Sequence, residues 1–390
     1  MSSFPLQSLF FVLLCLLASH QCAEARYLQT SKELFCSVYT FGDSFVDPGN
    51  NDFINTPFRS NFPPYGREFP GGVSTGRFSN ELLFPDILAY YVGAVNYTRP
   101  YLGPRLDLKE SPTAVSFASA TSGFDPYTAN KTNALQLSDQ LKSFQQYRAR
   151  LEKAIGKKKA DSQIEQAIFY VNAGSDDFAL TIYPTLLQEL TMSPICIRAN
   201  ARISSNIACI HISLSPLAKI QAKIYMLIFF QSLQRLLEQG ARKIAVNGLP
   251  PLGCIPVGVT LLPQPAKNIQ DKARTCIGYV NAISLDFNSM LQEELEDLQS
   301  QHPEAKIVYI DFVEPLLDVI QNPHEYGYTE VNKGCCGTGF SEIGTQCNAT
   351  TSLCSDSDKF VFWDAAHPTE KTYHLIFRSN LAAIDDLIGS

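Results

Sequence analysis

The sequence predicts an α/β sandwich around a parallel sheet, on two observations. Short apolar, β-branched runs end in small or polar residues, and helical patterns fill the stretches between them. Strands alternating with helices point to parallel pairing with helical crossovers.

The first run is Ser37 to Phe41 (SVYTF), and the helical pattern Leu135 to Ile155 follows well downstream. Next come the run Ala167 to Asn172 (AIFYVN), the helical pattern Gln231 to Gln239, and the run Lys243 to Asn247 (KIAVN). The helical pattern Ala273 to Gln299, the run Lys306 to Ile310 (KIVYI) and the helical pattern Thr369 to Leu387 complete the series. Near-continuous apolar runs of this length suit strands buried on both faces. In such sheets the ligand lies beyond the carboxyl ends of the strands. Here those ends read Gly42-Asp43-Ser44, Ala173-Gly174-Ser175-Asp176-Asp177 and Gly248-Leu249-Pro250-Pro251.

Ser44 is expected at a strand-to-helix turn, where a helix N-terminus would favour developing negative charge. Asp and Ser are also ordinary N-cap residues, so the context alone leaves a capping role open. Near the other end, FWDAAHPTE sets Asp364 and His367 three residues apart before a helical pattern. That spacing lets the carboxylate hold one ring nitrogen while the other faces a nucleophile, although a helix-start capping arrangement would use the same residue types. His211, His302 and His324 lie in polar or loop contexts, His374 lies within the last helical pattern, and His20 falls in the leader described next. Gly72-Val73-Ser74-Thr75-Gly76 matches the G-x-S-x-G nucleophile elbow by letter, but a Pro/Gly-rich loop precedes Ser74 where the elbow needs a buried strand.

The run Leu9 to Ala18 is apolar and too short to span a bilayer. With Ala23-Glu24-Ala25 behind it, residues 1–25 read as a secretory signal cut near Arg26, although no charged n-region precedes the run. Residues 26–390 are then expected to form one secreted domain without a membrane span, since no Pro/Ser/Gly-rich linker divides them. Asn96, Asn130 and Asn348 open N-x-T acceptors for glycosylation. Removing Cys15 and Cys22 leaves nine cysteines, so at least one stays unpaired. Four of these lie between Cys335 and Cys354 and read as a disulfide-stapled loop; adjacent cysteines without C-x-x-C spacing suit zinc poorly. The net charge of -7 argues against nucleic acid or an anionic membrane surface as partner.

FGDSFVDPGNND (Phe41 to Asp52) and FWDAAHPTE resemble the first and last blocks of the plant GDSL esterase/lipase family within the SGNH hydrolases. TGRFSN, VSFASATSGFD, GLPPLGCIP and GCCGTG resemble that family's intervening signatures, in order, over nearly the whole mature chain. The resemblance implies a flavodoxin-like three-layer α/β/α sandwich with a central parallel sheet. It also implies Ser44 as nucleophile and oxyanion donor, Gly123 as second donor, and Asp364 and His367 as the acid/base pair. The expected substrate is a small-molecule ester or lipid, in the cell wall or apoplast, with no metal or organic cofactor.

Two departures stand out. The block expected as Gly-x-Asn-Asp reads Gly174-Ser175-Asp176-Asp177, which puts an acid where an oxyanion donor belongs. An ionised carboxylate cannot donate, although a protonated one can. The second departure is 190–237, which holds five Lys/Arg and no Asp or Glu; it reads as an insertion or, in part, as translated non-coding sequence. Three functions follow as alternatives: a carboxyl-ester hydrolase, a catalytically impaired lipid- or carbohydrate-binding homologue, and a cell-wall acyltransferase.

Overall fold

The computed structural model describes residues 36–104, 106–109, 113–182, 216–262 and 274–389. The expected signal at 1–25, residues 190–215 of the atypical stretch, Cys196 and Cys209 lie outside these residues.

Six strands form a single parallel sheet: β1 (Val38–Gly42), β2 (Arg99–Pro100), β3 (Ala114–Ser116), β4 (Ile168–Asn172), β5 (Lys243–Asn247) and β6 (Lys306–Ile310), in the order β2-β3-β1-β4-β5-β6. The four strands expected from sequence are all present. The two it did not show are two and three residues long, and Pro100 sits on the edge strand, where its missing N–H leaves no gap in the ladder.

Alternate side chains enter two cores, as the pleat requires. On one face Tyr39, Phe41, Phe169, Val171, Ile244 and Val246 pack with Phe144 and Tyr147; on the other Val38, Ile168, Tyr170, Ala245 and Val308 pack with Phe84, Tyr373 and Phe377. Helices on both faces make this a three-layer α/β/α sandwich.

The flanking helices follow from their periodicity. Helices α1 (Phe84–Tyr91) and α2 (Pro126–Asn130) are short; α3 (Leu137–Ile155) turns Leu137, Gln140, Leu141, Phe144, Tyr147 and Leu151 inward at helical spacing. Truncating a ring buried as fully as Phe144 to alanine costs about 3–5 kcal/mol. Helices α4 (Lys157–Gln166) and α5 (Ser175–Asp177) bracket β4.

Helix α6 (Pro216–Glu238) begins well before the helical pattern expected at Gln231. The uninterrupted apolar run Ile224 to Phe230 hides its period, because Ile224 and Leu227 point outward, while Tyr225, Met226, Phe229 and Leu233 are buried in the sheet core. From Ala222 onward the atypical stretch is core helix.

Helices α7 (Pro256–Leu261), α8 (Gly278–Gln301) and α9 (Val313–Gln321) follow, and a two-stranded parallel sheet pairs β7 (Glu330–Gly334) with β8 (Phe360–Phe362). The last helical pattern is broken at Asn380 into α10 (Glu370–Ser379) and α11 (Leu381–Ile388). The Asn380 side chain accepts from Asp311 N and donates to the carbonyls of Asp311 and Ile376, tying the break to the end of β6.

Disulfides join Cys254 to Cys276, Cys335 to Cys354 and Cys336 to Cys347, which leaves no thiolates for zinc in the stapled loop. Cys36 is buried and, among the described residues, the one free thiol. A third apolar cluster packs Tyr65, Phe78 and Trp363 against Cys335, Cys336 and Cys347. No helix among the described residues is long and apolar enough to cross a membrane.

Candidate active site

β1 ends at Gly42, whose φ is +136° and where a Cβ would lie 1.7 Å from the carbonyl oxygen of Asn172; only glycine fits. The buried Gln140 of α3 grips this residue from both sides, accepting from Gly42 N at 2.8 Å and donating to Gly42 O at 2.9 Å. The strand end that delivers Ser44 is thereby fixed.

No helix begins after Ser44, contrary to expectation. The Asp47 carboxylate takes the backbone N–H groups of Gly49, Asn50 and Asn51, and also that of Ala120. A side chain that claims these donors replaces the helical ladder with a turn, and the chain reaches only one 3-10 turn at Asn50–Phe53. Asn50 Nδ2 donates to the carbonyls of Ser116 and Ala118, and Asn51 Nδ2 to those of Phe58 and Ala120, so the turn is laced to the loop after β3.

His367 lies between Asp364 and Ser44 and so joins the two chain regions singled out in the sequence. Its Nε2 is 2.8 Å from Ser44 Oγ, and its Nδ1 is 2.9 Å from each oxygen of Asp364. Asp364 Oδ1 also accepts the backbone N–H groups of Ala366 and His367, each at 2.8 Å. The capping arrangement and the imidazole partner are thus one carboxylate serving both. Asp364 is fully buried, His367 is 3% exposed and Ser44 8%, and the imidazole packs beside Phe45 and Phe78. An imidazole with a carboxylate on one nitrogen and a hydroxyl on the other can take that hydroxyl's proton while the carboxylate stabilises the resulting cation.

Ser44 and His367 open onto a cavity of about 230 Å³ whose walls include Phe58, Leu180, Leu252, Ile255, Val257 and Leu262. Two of the three chemically suggestive strand ends contribute to it, through Ser44, Ser175 and Asp176, and Leu252, the residue after the third, lines its wall. Ser74 does not line it; its hydroxyl donates to the carbonyl of Tyr65.

Gly123 is not brought to this cavity either. A Cβ there would meet Asp177 Oδ1 at 2.4 Å, so glycine seats the Asp177 carboxylate, which accepts from Phe124 N, Asp125 N and the Thr128 hydroxyl. Two residues earlier Thr121 lines the wall with φ +68°, an outlying conformation for a β-branched residue. The backbone N–H groups of Ser44 and Thr121 have no acceptor among the described residues.

Asp176 lines the cavity, and its carboxyl has no hydrogen-bond partner among the described residues. Burial first and the adjacent Asp177 second push its pKa up to about 7, against the pull of His367. Asp43, beneath the nucleophile, is held well above the usual carboxylate range by burial and by Asp176.

Of the glycosylation acceptors, Asn96 and Asn130 are exposed, whereas Asn348 is half-buried and its Nδ2 donates to Thr345 O. No group of three or more His, Cys, Asp or Glu among the described residues is placed to hold a metal ion.

Gln140, Asp47, Asn50, Asn51 and Thr121 shape the site without having been singled out in the sequence. Asp47, Asn50 and Asn51 lie within the FGDSFVDPGNND block, the one local signal for them.

The profile of the family described as GDSL-like Lipase/Acylhydrolase matches residues 38–379. Among Arabidopsis thaliana proteins, GDSL esterase/lipase At5g45960 is 37% identical over 362 residues, covering 92% of this chain and 89% of its own length. GDSL esterase/lipase At1g06990 is 36% identical over 345 residues (88% and 87%), and GDSL esterase/lipase At2g31550 is 35% identical over 367 residues (94% and 93%). With that match spanning the sheet, the cavity and both regions that meet at His367, the chain belongs to the GDSL-like lipase/acylhydrolase family.

Proposed function

We propose that the protein is a secreted carboxyl-ester hydrolase working through an acyl-enzyme on Ser44. The observation that carries this reading is the 2.8 Å approach of His367 Nε2 to Ser44 Oγ. The general activity, hydrolysis of ester bonds, is that of the family. In the proposed cycle Ser44 Oγ attacks the ester carbonyl while His367 takes its proton, and the imidazolium gives that proton to the departing alcohol. Water then repeats the sequence and frees the acid. The N–H groups of Ser44 and Thr121 are the proposed oxyanion donors. Asp176 adds a third while protonated and opposes the oxyanion once ionised.

Among the described residues no Lys or Arg lines the cavity, and its polar members are Ser44, Thr121, Ser175, Asp176 and His367. An acyl group that is neutral and apolar therefore suits it, because a charged one would be desolvated without a counter-ion. Secretion is supported by the three disulfides and by the exposure of Asn96 and Asn130.

The test is hydrolysis of short and long p-nitrophenyl esters by the secreted protein beside Ser44→Ala. Loss of turnover by about 10³-fold or more is expected; equal rates would remove Ser44 from the reaction. The impaired-homologue reading draws on one observation, the Asp176 carboxyl on the cavity wall with no hydrogen-bond partner among the described residues. A wild-type protein that binds an apolar ester without hydrolysing it at any pH would favour that reading.

A further inference from the structure

Asp364 receives one more donor than a capping and triad role requires. The hydroxyl of Tyr65 donates to Asp364 Oδ2 at 2.7 Å and accepts from Gly344 N at 2.8 Å. Oδ1 has two backbone donors of its own, whereas Tyr65 is the donor that Oδ2 does not share, since His367 Nδ1 is equidistant from both oxygens. Without it the carboxylate could turn about its Cβ–Cγ bond and release the imidazole from the line to Ser44.

Tyr65 is itself held. It is 1% exposed, it meets Phe62, Phe78 and Trp363 edge to face, and its carbonyl takes the Ser74 hydroxyl. Gly344 lies inside the loop closed by the Cys336–Cys347 disulfide, and Ile343 beside it lines the cavity. The same loop thus walls the cavity and, through one hydroxyl, touches the carboxylate behind the imidazole.

We propose that Tyr65 is a positioning residue for the reaction, a strut through which the disulfide-closed loop fixes the Asp364 carboxylate and hence the His367 ring. The inference rests on the triad reading of Ser44, Asp364 and His367. Other titratable groups around the pair are Asp176, which faces His367 across the cavity, and Tyr373 of α10, which lies near Asp364. A strut acts on ring orientation and leaves the cavity unchanged, so its loss must appear in turnover and spare substrate binding.

The experiment is Tyr65→Phe, which keeps the ring packing and deletes the hydroxyl. Rates are expressed per fluorophosphonate-titrated site, with melting temperature measured alongside. The expected result is a fall in kcat of about tenfold or more, on the scale of one lost hydrogen bond to a charged group. KM should stay within about twofold, and the low-field proton resonance of His367 Nδ1–H should move or broaden. A merely structural role would lower the melting temperature and the number of titrated sites, leaving kcat per site and the resonance where they were; that outcome overturns the proposal. Should Tyr65→Phe fail to fold, the double variant Cys336→Ala/Cys347→Ala carries the test. Freeing the loop must shift the same resonance and lower kcat per site, and an unchanged resonance overturns the strut. Full activity in Ser44→Ala would sink the triad reading itself, whereas an inert Ser44→Ala beside a fully active Tyr65→Phe sinks only the role of Tyr65.

Discussion

Asp176 and His367 stand on the wall of one apolar cavity, and the imidazole is the group that draws the Asp176 pKa downward against burial and Asp177. The balance leaves Asp176 titrating at about 7, where its charge decides whether the proposed oxyanion meets a donor or an anion. Turnover on a simple ester should therefore fall as pH rises through about 7. Asp176→Asn should abolish that fall and raise kcat above neutral pH by roughly 10²-fold, with little change in KM. Superimposable pH-rate curves for the two proteins would place Asp176 outside the reaction.

Several buried or half-buried acids make stability depend on pH in the direction opposite to most carboxylates. Asp47 and Asp177 are raised to about 6, and Asp52 and Asp176 to about 7, mainly by burial. A folded-state pKa above the unfolded value means that the native state binds more protons, so stability is greatest below the unfolded values near 4 and declines as pH rises toward 7. Glu342, lowered to about 2, and Glu68, also lowered, lose their stabilising effect only as pH falls below their ordinary value of 4.5, beneath this range. The four raised acids therefore set the slope here, and the melting temperature at pH 5 should exceed that at pH 7.5 by roughly 3 °C. A melt that rises toward pH 7.5 contradicts the assignment of these shifts.

Gly123→Ala separates a seat from a donor. The added Cβ would fall 2.4 Å from Asp177 Oδ1 and must displace the carboxylate that holds Phe124 N and Asp125 N. The expected cost is about 2 kcal/mol or more, read as a lower denaturant midpoint. Because Gly123 does not line the cavity, kcat per titrated site should be nearly unchanged at pH 5, where Asp176 stays protonated whether or not Asp177 moves.

Acyl-chain length should be read by the cavity. Each methylene that enters it adds about 0.8 kcal/mol, close to fourfold in kcat/KM, until the space is filled. Val257→Trp, on the wall of α7, should bring that plateau to shorter chains while sparing the acetyl ester. A flat series of esters in the wild type would show that the acyl group lies elsewhere.

The sequence displayed the sheet where the sheet is deepest. β1, β4, β5 and β6 are five-residue apolar runs buried on both faces, whereas β2 and β3 are too brief to carry a period. Ser44 and the Asp364–His367 pair were legible because each sits in a short, local context: a strand end, and a three-residue spacing. Tyr65 was not, since it stands in a Pro/Gly-rich loop and reaches Asp364 across 299 residues of sequence. Thr121 was overlooked for a different reason. Its role follows from a positive φ, which a threonine in a sequence does not announce.

The serine and the imidazole that meet at 2.8 Å are separated by 323 positions in the chain. At roughly 5–20 residues per second, the ribosome finishes the histidine about 15–65 s after the serine. During that interval the nascent chain carries an ordinary alcohol with no base to awaken it. On the proposed mechanism the order of manufacture is thus a safety catch, released only when the imidazole arrives.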